Sequence, residues 1–97
     1  MLFAIICTDR PASLDLRQAT RPVHLDYLKA HAHRLIQAGP VLNAAGEPCG
    51  SLLIVDAADR AEAEAFAAGD PYAKAGLFES ALIRPYRMVF RDGQMIA

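Results

Sequence analysis

Residues 2–8 are continuously apolar as far as Thr8. A run without polar alternation predicts a strand covered on both faces. Asp9-Arg10-Pro11-Ala12-Ser13 has the chemistry of a loop. A helical pattern begins between Leu14 and Pro22 and runs to Gln37. Pro22 then requires a short first turn, a kink, or a helix that starts near Thr20 with the proline in its first turn. Leu25, Leu28, Ala32, Leu35 and Ile36 fall within an arc of roughly 100°, the width of a core-facing stripe. His24 and His31 lie together at one edge of that stripe, with Tyr27 further round, and His33 projects to the solvent side. Gly39-Pro40 is expected to end the helix.

Val41-Leu42-Asn43-Ala44 reads as a short strand and Ala45-Gly46-Glu47-Pro48 as a turn. Cys49 to Val55 is a second strand with no alternation in Leu52-Leu53-Ile54-Val55. Ala57 to Ala68 is an alanine-rich helix whose one large apolar side chain is Phe66. Asp59 and Glu62 have the spacing of a capping box, or simply favour the positive end of the helix. Leu77 to Phe90 is a long strand in which Pro85 implies an edge or a bulge, and residues 91–97 form a tail. The order strand, helix, strand, strand, helix, strand predicts one α+β domain over residues 1–97, a ferredoxin-like βαββαβ arrangement. Two helices cover one sheet face only. Residues 2–7 and 52–55 point apolar side chains both ways, so the other face calls for a second copy of the chain, sheet against sheet.

Between the alanine-rich helix and the last strand stands Gly69-Asp70-Pro71-Tyr72-Ala73-Lys74-Ala75-Gly76. Gly69 can close one helix and Asp70-Pro71 can start a new turn, with the aspartate as N-cap. By itself Asp70 reads as a cap and nothing more.

The chain is 97 residues long, 54% hydrophobic, with a net charge of −1 and interspersed signs. This balance gives no electrostatic attraction to nucleic acid or an anionic membrane. No apolar run reaches the ~20 residues of a membrane-spanning helix, and the opening residues lack a secretory leader, so a cytoplasmic protein is expected. Cys7 and Cys49 make no disulfide framework and belong to no C-x-x-C pair; both read as small buried hydrophobes, close together and reduced. The histidines lack metal-ligand spacing. There is no phosphate loop and no serine nucleophile elbow. A cofactor-free acid–base chemistry fits this inventory.

Several motifs occur in order: Arg21-Pro22-Val23-His24-Leu25, Gly39-Pro40, Gly50-Ser51-Leu52, Asp70-Pro71-Tyr72, Ala75-Gly76-Leu77-Phe78 and Ile83-Arg84-Pro85. As a set, covering nearly the whole chain, they resemble the YciI-like (YCII-related) proteins. The resemblance implies a dimeric α/β barrel of ferredoxin-like type and a histidine–aspartate pair in a pocket, here His24 and Asp70, with Ser51 nearby. It also implies kinship with small lyases and dehydrochlorinases of hydroxylated aromatic rings and with muconolactone-isomerase-type barrels. The turn at 45–48 is shorter than the loop relatives can have there.

Taken alone, His24 is a satisfied histidine at the core edge; with the resemblance it becomes a candidate general base partnered by Asp70. Ser51 either orients a substrate oxygen or bonds its own backbone. Arg21 binds a substrate carboxylate, braces Asp70, or is a solvated helix-start arginine. Tyr72 and Phe78 line or seal a pocket. Arg84 reads as a solvated strand-edge charge and His31 as structural. Three functions remain open: a small enzyme performing elimination or isomerisation on an oxygenated aromatic or unsaturated substrate, a small-ligand binding module, or a structural accessory domain. A pocket between His24 and Asp70 favours the first two, and turnover separates them.

Overall fold

The computed structural model describes residues 1–97. Its elements are β1 (Leu2–Asp9), α1 (Leu14–Ala30), a 3₁₀ turn at Ala32–Arg34, β2 (Leu35–Leu42), β3 (Pro48–Asp56), α2 (Arg60–Gly69), α3 (Pro71–Lys74), β4 (Phe78–Tyr86), β5 (Phe90–Arg91) and β6 (Gln94–Met95). The main sheet has the order β2-β3-β1-β4 with every neighbour antiparallel. This is the ferredoxin-like α+β arrangement that the element order predicts.

The two unalternating runs take the two central strands. Phe3, Ile5 and Cys7 of β1 and Leu53 and Val55 of β3 face the helices, and with Ala57, Ala63, Phe66 and Ile83 they form the core. On the other face the register sets Leu52, Ile6 and Leu82 side by side across three strands. These side chains remain 37, 40 and 45% exposed. Ile54 on the same face is buried and shares a cavity wall with residues of the segment that follows β4.

Three boundaries differ from the sequence expectation. The helix ends at Ala30, not Gln37, and Leu35 and Ile36 belong to a strand. Their apolar spacing fits a helical stripe and a strand equally; pairing of Leu35 with Val55 and Ala38 with Leu53 decides for the strand. Gly39-Pro40 therefore lies inside β2, where an edge position spares Pro40 a lost ladder bond. At the other end α1 begins at Leu14, the earliest start the pattern allowed, and runs through Pro22. The last strand stops at Tyr86, not Phe90, and the expected tail holds a two-residue hairpin, Phe90–Arg91 against Gln94–Met95. Its turn, Asp92-Gly93, has positive φ at both residues (51° and 77°), the geometry that such a dipeptide supplies. Pro85 lies on β4, the other edge strand, as its missing N–H demands.

Candidate active site

The octet at 69–76 folds as its residues dictate. Asp70 has extended backbone and caps α3, its Oδ1 accepting the N–H of Tyr72 at 2.9 Å, with Pro71 at the first helical position. The same oxygen accepts a hydrogen bond from Nδ1 of His24 at 2.8 Å, across 46 residues. Both side chains are nearly excluded from solvent, at 10 and 6% exposure. Oδ1 already accepts the Tyr72 amide, so Nδ1 carries the proton and donates. Nε2 has no protein partner. The His24 ring stacks on Tyr72, centroids 3.9 Å apart at 20°. Thus α3 positions the imidazole through the carboxylate of Asp70 and the ring of Tyr72, two residues apart on one turn.

Two turns upstream of His24 on α1, Arg17 is 4% exposed. Its Nε donates to Asp9 Oδ2 at 2.7 Å, and its terminal nitrogen donates to Asp9 Oδ1 at 3.1 Å, the Gly50 carbonyl at 2.8 Å and Ser51 Oγ at 2.6 Å. Its guanidinium carbon also lies 4.5 Å from the Tyr72 ring centre. Burial acts to strip this guanidinium of its proton, but the bond to Asp9 and its charge outweigh burial and hold the proton more firmly than usual. Burial likewise raises the Tyr72 phenol, with Arg17 and Arg21 opposing.

Arg17, Arg21, His24, Ser51 and Tyr72 line a cavity of about 190 Å³ between α1 and the β2–β3 half of the sheet. Leu25, Leu28, Pro40 and Leu53 supply apolar wall. Ser51 accepts from Arg17 rather than bonding its own backbone, so its hydroxyl proton is free to donate. Arg21 is exposed at the cavity and has no carboxylate partner, and it does not brace Asp70. Phe78 does not reach this cavity; it stands edge-on behind Tyr72, centroids 6.0 Å apart, and lines a second one. His31 closes α1, with Nδ1 donating to the Tyr27 carbonyl at 2.9 Å, and packs on Tyr27 and Phe66. Arg84 is exposed. Nowhere do three or more His, Cys, Asp or Glu side chains gather as a metal-ligand set.

Sequence reasoning passed over Arg17 and Asp9. The signal was the seven-residue spacing from Arg17 to His24, two turns along one helix face, which a helix starting at Thr20 hides. Asp9 was assigned to a loop, but it ends β1 at a register shift and its carboxylate turns under Arg17.

Fold and site together define a ferredoxin-like α+β protein with a buried His–Asp pair beside a polar cavity. The chain belongs to the YCII-related family, whose domain matches residues 1–87. It is 35% identical over 99 residues to the protein YciI of Escherichia coli O6:H1, covering 93% of this chain and 100% of that one. An uncharacterised Haemophilus influenzae protein is 33% identical over 98 residues, with the same coverage. Among solved structures, 5-chloro-2-hydroxyhydroquinone dehydrochlorinase (TftG) from Burkholderia phenoliruptrix AC1100, in complex with 2,5-dihydroxybenzoquinone, superposes with a TM-score of 0.85 at 35% identity. That match covers 90% of this chain and 94% of the enzyme. An antibiotic biosynthesis monooxygenase, at TM-score 0.51 and 12% identity, shares the fold alone. No helix is long and apolar enough to cross a membrane.

Proposed function

We propose that this chain is a cofactor-free enzyme whose His24–Asp70 pair carries out elimination, dehydrochlorination or isomerisation on a small oxygenated aromatic or unsaturated substrate. The observation that carries the reading is the 2.8 Å bond from Nδ1 to Asp70, made in the wall of an open cavity. With Nδ1–H held, Nε2 presents a lone pair to the cavity and can take a proton from a phenol or an activated carbon. The carboxylate stabilises the imidazolium as it forms. Loss of HX from a hydroxylated ring then needs no oxidant. Nε2 takes a hydroxyl proton and returns it to the ring carbon bearing X, which becomes tetrahedral. X leaves with its bonding pair while a second hydroxyl proton is lost, and a quinone remains. Ser51, Tyr72 and Arg21 are the donors for the substrate oxygens, and Phe78 backs Tyr72. The kinship with a dehydrochlorinase of a hydroxylated ring supports this substrate class.

The same reading includes a homodimer through the open sheet faces. The row Leu52–Ile6–Leu82 supports it, since a two-fold axis sets each row against its copy and removes both from water. The free thiols of Cys7 and Cys49 fit a reducing compartment, the cytoplasm.

The test is turnover of chlorinated and unhalogenated hydroxyquinols and of lactones, followed by halide release and ultraviolet spectra. His24→Ala is expected to lose about 10²–10⁴-fold in kcat with its circular dichroism unchanged. Full turnover by that variant on an identified substrate would leave a cavity that binds without acid–base work at His24.

A further inference from the structure

A second cavity, of about 230 Å³, lies between α2, α3 and the β1–β4 half of the sheet. The sequence makes it by withholding bulk: Ala67, Ala68, Ala73 and Ala81 stand in the wall where larger side chains would fill the space between Phe66 and Phe78. Its wall also holds Asp70, which is 4% exposed. Oδ1 of that carboxylate accepts two hydrogen bonds, from His24 and Tyr72, whereas Oδ2 has no donor from the protein. Oδ2 is not sealed in, because Arg34 Nε is the one fully buried side-chain nitrogen or oxygen without a partner. A carboxylate oxygen without a donor in an apolar surround is costly. No protein donor in this wall reaches Oδ2, which leaves it open to a donor that enters the cavity.

We infer that this cavity is a second ligand site, for a small neutral hydroxylated ring of the phenol class that donates its hydroxyl to Asp70 Oδ2. The size fits, since an apolar cavity of about 150 Å³ already admits benzene. The charge fits too. The Asp70 carboxylate and Glu64 in the wall repel an anion, and Cys7 in the same wall is held as a neutral thiol, its pKa pushed up to about 12 by burial and by Asp70 and Asp9. The ligand and His24 would share one carboxylate, so the two sites are joined through Asp70. The inference requires no turnover at His24.

The full chain, labelled at its methyl groups, is titrated with phenol, benzene and benzoate and followed by carbon–proton correlation spectra. Ile5 and Ile83 report this cavity, and Leu25 and Leu28 report the first. Phenol is expected to shift Ile5 and Ile83 with about tenfold higher affinity than benzene, the worth of a hydrogen bond to a charged group. Benzoate should leave them still. Ala81→Phe, on an exposed position of an edge strand, should abolish the phenol response, and Ala68→Phe, in the α2 part of the wall, provides the same block if that strand misfolds. Phenol shifts confined to Leu25 and Leu28, equal affinity for benzene and phenol, a matching response to benzoate, or no response at Ile5 and Ile83 would each overturn the site. Those outcomes leave the His24→Ala turnover test unaffected, so the two readings fail separately.

Discussion

The imidazole of His24 lies on the ring of Tyr72 at 3.9 Å between centroids and 20° between planes. The stacking fixes the tilt of the imidazole, and the bond to Asp70 fixes its rotation. Two residues of one short turn, Asp70 and Tyr72, thereby hold a histidine from another helix.

Asp70 serves as cap and as histidine partner through a single oxygen, and substitutions separate the two roles. Asp70→Asn keeps an oxygen acceptor for the Tyr72 amide but no longer offers a carboxylate to the Nδ1 proton. It should retain most of the stability while turnover falls. Asp70→Ala loses the cap as well and should unfold about 1 kcal/mol more easily than Asp70→Asn. Urea unfolding of both variants beside their kcat values is the check; equal stabilities would remove the capping role.

Arg17 and Asp9 form an ion pair whose side chains are 5 and 6% exposed. Arg17→Ala leaves the Asp9 carboxylate buried and unpaired, so a loss of about 3–5 kcal/mol is expected. Replacing both together, Arg17→Met with Asp9→Leu, should recover most of that loss. Denaturant midpoints for the single and double variants decide it, and a double variant as weak as Arg17→Ala would mean that the bonds to Gly50 and Ser51 matter more than the pair.

Cys7 is 4% exposed, and burial pushes its thiol up from 9.0 to about 12, with the charges of Asp70 and Asp9 adding to the effect. Below pH 9.0 the thiol is protonated in both folded and unfolded chains and contributes no pH dependence. Between 9.0 and about 12 the unfolded thiol ionises while the folded one does not, so stability drains toward the unfolded state as pH rises. The unfolding free energy of the wild type should therefore fall relative to Cys7→Ala across that window. In the native protein iodoacetamide should label the half-buried Cys49 well before Cys7. Parallel pH profiles for wild type and Cys7→Ala would contradict the assignment.

Sedimentation at micromolar concentration should give a dimer, with an interface of at least ~800 Å² per partner. Leu82→Glu places a charge at the β4 end of the aliphatic row, on an exposed strand position, and should yield a folded monomer. A wild-type chain that sediments only as a monomer would remove the sheet-to-sheet assembly.

Some of this architecture is written locally. The unalternating runs at 2–8 and 52–55 read as strands and became the central pair of the sheet, one face packed on the helices and the other exposed at Ile6 and Leu52. Asp59 accepts the amide of Glu62, and Asp70 that of Tyr72, because an acceptor placed before a helical turn needs only its own neighbours. The octet's turn was legible for the same reason. Leu35 and Ile36 were not: their spacing satisfies a helix stripe, and only the presence of β3 beside them, three-dimensional neighbours with no mark in the local sequence, makes extended pairing the better solution.

The candidate site divides in the same way. His24 and Asp70 each carry their chemistry in the sequence, but nothing between them encodes a distance of 2.8 Å across 46 residues. That approach exists because α1 and α3 pack on one face of the sheet. Arg17 lay further from sight, since a charged side chain reads as surface until Asp9, Gly50 and Ser51 are brought around it. Local hydrogen bonding and periodicity set which segments became strands and turns. Burial, which depends on every segment at once, decided which charges were drawn inside and paired.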